Sequence, residues 1–232
     1  MLTLVAGAVD VTSFIALGKV FASVMTGNMV LLGLAAGTTD AALAIAAGCA
    51  FAGYALGALV GANIAKRAKV RRDSSARPLE WALAAEFVAL AAFTAGWEMS
   101  AGHPDVAAQR PLLVLAAIAM GIQSATVKEL GAPGLSTTYM TGTLTGVLAG
   151  LASSRHRDSG SGWAVARLAA LICGAAVTAL LVRHAAYAMP LLPLCALASG
   201  AAIVAVGSAT ERSGPRRSGR VRGGATKSRR LS

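Results

Sequence analysis

The chain has 232 residues, of which 56% are hydrophobic and only 13% are charged, and its mean hydropathy is +0.64. Soluble domains carry about 25% charged residues, so this composition excludes an ordinary soluble domain and predicts an integral membrane protein. The formal charge of +11 does not indicate nucleic-acid binding, because the basic residues are confined to a few gaps between apolar runs.

Six long apolar units follow one another along the chain, separated by polar gaps. Crossing a hydrocarbon core of roughly 30 Å takes about 20 residues, so the units predict six membrane spans. The first and fourth units are too long for one straight helix, and we expect each to be broken, re-entrant or doubled. The units run from Leu2 to Gly37, Ala41 to Ala65, Trp81 to Ser100, Pro111 to Leu151, Trp163 to Val182 and Ala186 to Gly207.

The two long units carry the same short polar sequence. Met25–Asn28 in the first unit returns as Met140–Thr143 in the fourth, 115 residues later and almost half the chain length away. Gly18 and Lys19 interrupt the first unit, and Gly131–Gly134 forms a strong stop in the fourth. Backbone that is freed inside a membrane cannot face lipid, so we expect each break to be buried in protein or to line a wet cavity.

The basic residues favour six spans over eight. They gather at residues 66–77, at residues 155–157 and in the tail from Arg212 onwards. Six spans with both termini inside place all three clusters in the cytoplasm, whereas eight spans would place residues 66–77 on the opposite side. Each half then holds three spans, so the two halves enter the membrane in opposite directions.

The predicted fold class is therefore an all-α membrane protein with about six transmembrane helices in two inverted three-span repeats. The membrane domain covers residues 1–208, with repeat one at 1–103 and repeat two at 108–208. Residues 209–232 are expected to form a basic, disordered cytoplasmic tail. Inverted repeats with broken helices at matching positions are typical of secondary transporters, whose site lies near the membrane midplane.

Two stretches of the chain carry a recognisable sequence pattern. The first comprises Ala6–Asp10, Ser13–Gly18 and Met25–Asn28, and the second comprises Gly121–Val127 and Pro133–Gly146. Both resemble the YoaK-like family of bacterial integral membrane proteins, named for a domain of unknown function (1275). The resemblance implies a multi-pass protein of the bacterial inner membrane, and it carries over no activity or ligand. Unlike that family's usual pattern, this chain starts directly on an apolar run, so we expect a late-assigned start codon or a short first half-span.

Nine residues near the two breaks are candidate substrate-binding residues. Asp10 is the sharpest, because an ionisable side chain within a span costs about 2.5 to 3.5 kcal/mol, although it could instead cap a half-helix or lie at the headgroup level. The twin elements could hold an anion or polar solute at half-helix N-termini, or they could simply let helices pack closely. The candidates are Asp10, Thr26, Gly27, Asn28, Gln123, Ser124, Thr141, Gly142 and Thr143.

Other residues are expected to serve structure. Glu86 follows Trp81 by less than two turns, which predicts a side chain at the membrane interface. The histidines and cysteines show no metal or disulfide spacing, so we predict no metal, no cofactor and no enzymatic activity. Glycines at every fourth position are expected to pack helices closely or to form a homodimer contact; they are Gly53, Gly57 and Gly61, and Gly142, Gly146 and Gly150.

Together these features predict a secondary transporter or channel-like permease for a small polar or charged solute. The expected mechanism is alternating access around the two breaks, with Asp10 as a proton or cation coupling group. The alternative is a non-transporting membrane scaffold or accessory protein. The expected partners are the lipid bilayer, anionic lipid headgroups at the basic tail, and a second copy of the chain in a homodimer, with no nucleic acid.

Overall fold

The computed structural model describes residues 1–70, 77–129, 140–152 and 159–213. Within these residues the chain is helical and has no strand, which confirms the predicted all-α class. A short 3-10 helix, Ala186–Ala188, precedes the last α-helix. The α-helices are α1 (Leu2–Ala16), α2 (Met25–Thr38), α3 (Ala41–Val70), α4 (Arg77–Met99), α5 (Val106–Glu129), α6 (Met140–Ala152), α7 (Ser159–His184) and α8 (Leu191–Ser213).

Among the described residues, four helices are long and apolar enough to cross a membrane. The apolar segments are 27 residues in α3, 21 in α4, 24 in α5 and 23 in α7. Helix α1 has 15 residues and α2 has 14, so at about 1.5 Å per residue neither reaches across a core of roughly 30 Å alone. The first apolar unit therefore consists of two shorter helices in series.

The break predicted in the first unit is present. Helix α1 ends at Ala16 and α2 begins at Met25. Gly18 has a φ of 109° and Lys19 a φ of 59°, and such left-handed conformations end a helix and favour glycine. The predicted stop at Gly131–Gly134 lies outside the described residues, as do Ser136 to Thr138, although α5 and α6 are separate helices on either side.

The helices pack around α5, which is the most buried of the four long apolar helices. Helix α5 packs against α3 and α4, whereas α1 packs against α7 and α8. Large side chains such as Phe93 and Met120 fill the core between them. The indole Nε1 of Trp97 donates a hydrogen bond of 3.0 Å to the carbonyl oxygen of Ala186, which ties the end of α4 to the short 3-10 helix that precedes α8.

Glycines allow close contact between α1 and α7. A Cβ atom at Gly7 would overlap the carbonyl oxygen of Leu171, and one at Gly174 would overlap the carbonyl oxygen of Leu4. The two backbones are therefore in direct contact, with one glycine contributed by each helix. Only a residue without a side chain permits this approach.

The same arrangement occurs between α3 and α5. A Cβ atom at Gly57 would overlap the carbonyl oxygen of Ile118, and one at Gly121 would overlap that of Tyr54. Gly53 and Gly61 also face the α5 backbone, so the close packing predicted for the glycines of α3 is confirmed. The glycines of α6 differ: a Cβ atom at Gly142, Gly146 or Gly150 would meet no described atom within 4 Å.

Candidate functional site

The Asp10 side chain lies against the break between α1 and α2. It is 7% exposed, and its two carboxylate oxygens accept hydrogen bonds from one residue. The backbone N–H of Ser23 donates to Oδ1 at 2.7 Å, and the Ser23 hydroxyl donates to Oδ2 at 2.6 Å. Asp10 thus holds the end of the interrupted segment against α1.

Asn28 holds the middle of the same segment. It lies in the first turn of α2 and is fully buried. Its Oδ1 accepts a hydrogen bond of 2.9 Å from the backbone N–H of Phe21, and its Nδ2 donates one of 2.6 Å to the Phe21 carbonyl oxygen. Both backbone groups of Phe21 are therefore paired by one amide side chain, as backbone outside a helix requires in an apolar environment.

A cavity of about 460 Å³ lies between α1, the break and α7. Asp10 is the one charged residue among those that line it. Phe14 and Phe21 form part of the wall and stack on each other, with ring centroids 5.2 Å apart and planes inclined by 22°. The opposite wall is formed by Leu171, Ala175 and Ala179 of α7. The cavity therefore offers an apolar surface with one carboxylate at its edge.

A second buried carboxylate lies on α4. The sequence predicts Glu86 at the membrane interface, and this prediction is wrong: the side chain is 1% exposed and lies near the middle of α4. The prediction takes Trp81 as the level of the membrane interface. In the structure α4 already begins at Arg77, and the Glu86 side chain faces α5. There the Nε2 of Gln123 donates a hydrogen bond of 2.7 Å to Glu86 Oε1.

The pairing of Glu86 with Gln123 is not predicted from the sequence, although Gln123 itself is one of the candidate residues. A signal for it was available, because each residue is a polar side chain inside an apolar unit, and such groups usually face the protein interior and pair with one another. What the sequence lacks is the angle between α4 and α5, which decides whether the two side chains meet.

Most of the other candidate residues lie in the first turns of α2 and α6. Thr26 is exposed and Gly27 is half-buried in the first turn of α2, while Thr141 and Gly142 are exposed in the first turn of α6. Thr143 is half-buried, and Ser124 is buried beside Gln123 on α5. Helix α2 packs on α3 and α6 packs on α7. The structure thus brings Asp10 and Asn28 together at one break, and it places Gln123 beside a different carboxylate.

Comparison with known proteins identifies the family. A family model described as "Protein of unknown function (DUF1275)" matches residues 1–205. The UPF0700 transmembrane protein YoaK of Bacillus subtilis (strain 168) is 36% identical over 148 residues, which are 64% of this chain and 63% of that relative. No solved structure matches the chain. The chain is therefore a transmembrane protein that belongs to the YoaK-like DUF1275 family.

Proposed function

We propose that this protein is a secondary transporter or channel-like permease that carries a small solute through the cavity beside Asp10. The observation that carries the proposal is the cavity itself, which lies between α1 of the first half and α7 of the second half at an interrupted helix. Its volume of about 460 Å³ falls in the range of roughly 300 to 1,000 Å³ that small-molecule sites occupy.

The lining of the cavity favours one kind of solute. The walls at Phe14 and Leu171 suit an apolar body, whereas Asp10 attracts a positive charge or hydrogen-bond donors. An ionised carboxylate has about four lone-pair positions, and the two hydrogen bonds from Ser23 occupy only part of them. A small solute that combines a cationic or donating group with an apolar part matches this surface.

We also propose that the two halves are inverted three-span repeats, and the glycine contacts support it. Gly7 and Gly174 join α1 to α7, and Gly121 and Gly57 join α5 to α3 in the same reciprocal way. Exchanging the halves turns each helix pair into the other. It also turns the α2–α3 contact into the α6–α7 contact, and it leaves the α1–α5 and α4–α8 contacts unchanged, as expected near a two-fold axis.

The proposed membrane topology has six crossings and cytoplasmic termini in a bacterial inner membrane. The eight helices group into six units when α1 is joined to α2 and α5 to α6. With this grouping the basic clusters at residues 66–77, at residues 155–157 and in the tail fall on one side, in agreement with the positive-inside rule. The basic tail would then lie next to anionic lipid headgroups.

A scaffold that forms a homodimer is the second candidate function. It is favoured by the exposed glycines Gly142 and Gly146 of α6, at which an added Cβ atom meets no described atom within 4 Å. At Gly7, Gly57, Gly121 and Gly174 the corresponding face is covered by a neighbouring helix. A scaffold would not require a cavity that admits solute, so the same experiment separates the two candidates.

Uptake into proteoliposomes tests the permease. Labelled methylammonium, ethanolamine, alanine and acetate are offered under an inward sodium or proton gradient, with protein-free liposomes as the blank. We expect at least one probe to enter faster with the protein. Ala179→Phe fills the cavity and should reduce that rate by about tenfold, whereas Leu180→Phe, on the exposed side of the same turn, should change it by less than about twofold.

Two outcomes would contradict the permease. One is that no probe enters faster than into protein-free liposomes. The other is that Ala179→Phe transports as fast as the wild-type protein, since the cavity would then not be the path. Either result, together with a dimer that is lost in Gly146→Leu, would favour the scaffold.

A further inference from the structure

The surroundings of Glu86 differ from those of an ordinary buried ion pair. The carboxylate is 1% exposed, and the side chain that donates a hydrogen bond to it, at 2.7 Å, is the neutral amide of Gln123. A buried carboxylate is strongly destabilising unless a positive charge or a proton accompanies it. The neighbourhood of Glu86 is therefore suited to a cation.

Two further oxygen atoms, both on α5, have no hydrogen-bond partner among the residues that the structure describes. The Oε1 atom of Gln123 and the Oγ1 atom of Thr126 are both buried without a partner. Because the amide nitrogen of Gln123 is bound to Glu86, its oxygen lies next to the same carboxylate. Thr126 follows Gln123 by three residues on α5, so the two side chains lie on one face of the helix.

The third contributor to this neighbourhood is the close contact between α3 and α5. Gly61 of α3 lies against Thr126, and a Cβ atom at this glycine would be 3.0 Å from the Thr126 hydroxyl oxygen. Because Gly61 has no side chain, the space in front of the Thr126 hydroxyl stays open. Unpaired buried acceptors normally cost about 1 to 3 kcal/mol each, so these two oxygen atoms favour a bound ligand that pairs with them.

We propose that Glu86, Gln123 and Thr126 form a binding site for a sodium ion between α4 and α5. Carboxylate, amide and hydroxyl oxygens are the hard ligands that such cations prefer. A single carboxylate balances one positive charge, which favours a monovalent ion over calcium, whose sites combine several carboxylates. The role of this ion as the coupling ion rests on the permease proposed above, whereas its binding does not.

Binding is measured on the purified full chain in detergent, with two readouts. The first is saturable binding of ²²Na⁺, and the second is the thermal midpoint in NaCl compared with choline chloride at equal concentration. A ligand that binds only the folded state raises the midpoint. We expect sodium to raise the midpoint of the wild-type protein by several degrees and ²²Na⁺ to bind saturably.

Three variants locate the site. Glu86→Gln keeps the size of the side chain and should abolish both readouts. Thr126→Val is nearly isosteric and should weaken ²²Na⁺ binding by about tenfold while leaving the fold intact. Glu98→Gln makes the same charge change at an exposed position of α4 and should bind sodium as the wild-type protein does.

The proposal is overturned if the wild-type protein shows neither readout, or if both Glu86→Gln and Thr126→Val bind sodium normally. Stabilisation by acid alone, without sodium, would also overturn it and would assign Glu86 to a proton. If Glu86→Gln does not fold, the ²²Na⁺ binding of Thr126→Val still tests the site. Sodium binding without solute uptake would reject the permease and keep the sodium site. Solute uptake without any effect of sodium would reject the sodium site and keep the permease.

Discussion

Asp10 and Glu86 are both buried carboxylates on apolar helices, but their oxygen atoms have different partners. Both oxygens of Asp10 are bound by Ser23, a residue of the adjoining break. Glu86 is bound by the amide of Gln123 from another helix, and the oxygen of that amide has no partner among the described residues. Two buried carboxylates can thus serve different purposes, since one pairs the backbone of the adjoining break while the other belongs to the ion site that we propose.

The largest effect is expected from the glycine contacts that hold both regions in place. Gly57→Ala places a Cβ atom on the Ile118 carbonyl oxygen, so α3 and α5 must separate. We expect a loss of about 3 kcal/mol in unfolding free energy, measured by thermal unfolding in detergent. Gly7→Ala should cost about as much at the equivalent contact of α1 with α7.

Gly48→Ala is the matched control for these glycines. It lies on the exposed side of α3, and an added Cβ atom meets no described atom within 4 Å. Alanine has the higher helix propensity, so this change should leave stability unchanged or raise it by up to about 1 kcal/mol. Equal losses at Gly48 and Gly57 would mean that helix contact is not what these glycines provide.

The next effect is expected at Asp10. Asp10→Ala leaves the Ser23 N–H and the Ser23 hydroxyl without their acceptor. We expect a loss of about 2 to 3 kcal/mol. Asp10→Asn keeps one oxygen for the Ser23 N–H and should lose less than half as much. If Asp10→Ala were as stable as the wild-type protein, the carboxylate would not be holding the break.

Asn28→Ala should have a similar but smaller effect on the same segment. It removes both hydrogen bonds to the Phe21 backbone, at a cost of about 2 kcal/mol. Met29→Ala changes the exposed neighbour and should cost less than about 1 kcal/mol by the same thermal measurement. A reversed order of the two variants would show that Asn28 does not organise the break.

The smallest effect is expected at an unpaired hydroxyl. Thr178 is fully buried on α7, and its hydroxyl has no hydrogen-bond partner. Thr178→Val should therefore be neutral or stabilising by up to about 1 kcal/mol. Thr12→Val removes a hydroxyl that donates to the Ala8 carbonyl oxygen at 2.9 Å, and it should be the less stable of the two in the same assay. The opposite order would show that Thr178 has a polar partner.

The sequence predicts the first break well because the signals are local. Gly18 takes a left-handed conformation that ends α1, and α2 begins at Met25, the first residue of the repeated motif. The alternative that Asp10 caps a half-helix differs from the structure, because Asp10 lies within α1 and binds Ser23, whereas the N-cap of α2 is Val24 and has no side-chain cap. These features depend on neighbours within a few turns of the chain, where glycine conformation and helix length decide the outcome.

The sequence does not predict the pairing of Glu86 with Gln123. Helices of soluble proteins reveal their buried face by an apolar stripe, but these helices are apolar on nearly all sides. The two residues are 37 positions apart in the sequence, with the connection between α4 and α5 between them, so their meeting depends on how these helices pack. The same holds for the cavity, whose walls come from α1 and α7.

The sharpest test of the difference between the two carboxylates compares Asp10→Asn with Glu86→Gln in one assay. The thermal midpoint of each purified variant is measured in NaCl and in choline chloride. The account predicts that Asp10→Asn has a lower midpoint in both salts and keeps the sodium-dependent rise. It predicts that Glu86→Gln keeps the midpoint of the wild-type protein in choline chloride and loses the rise. A sodium-dependent rise that disappears in Asp10→Asn and persists in Glu86→Gln would contradict it.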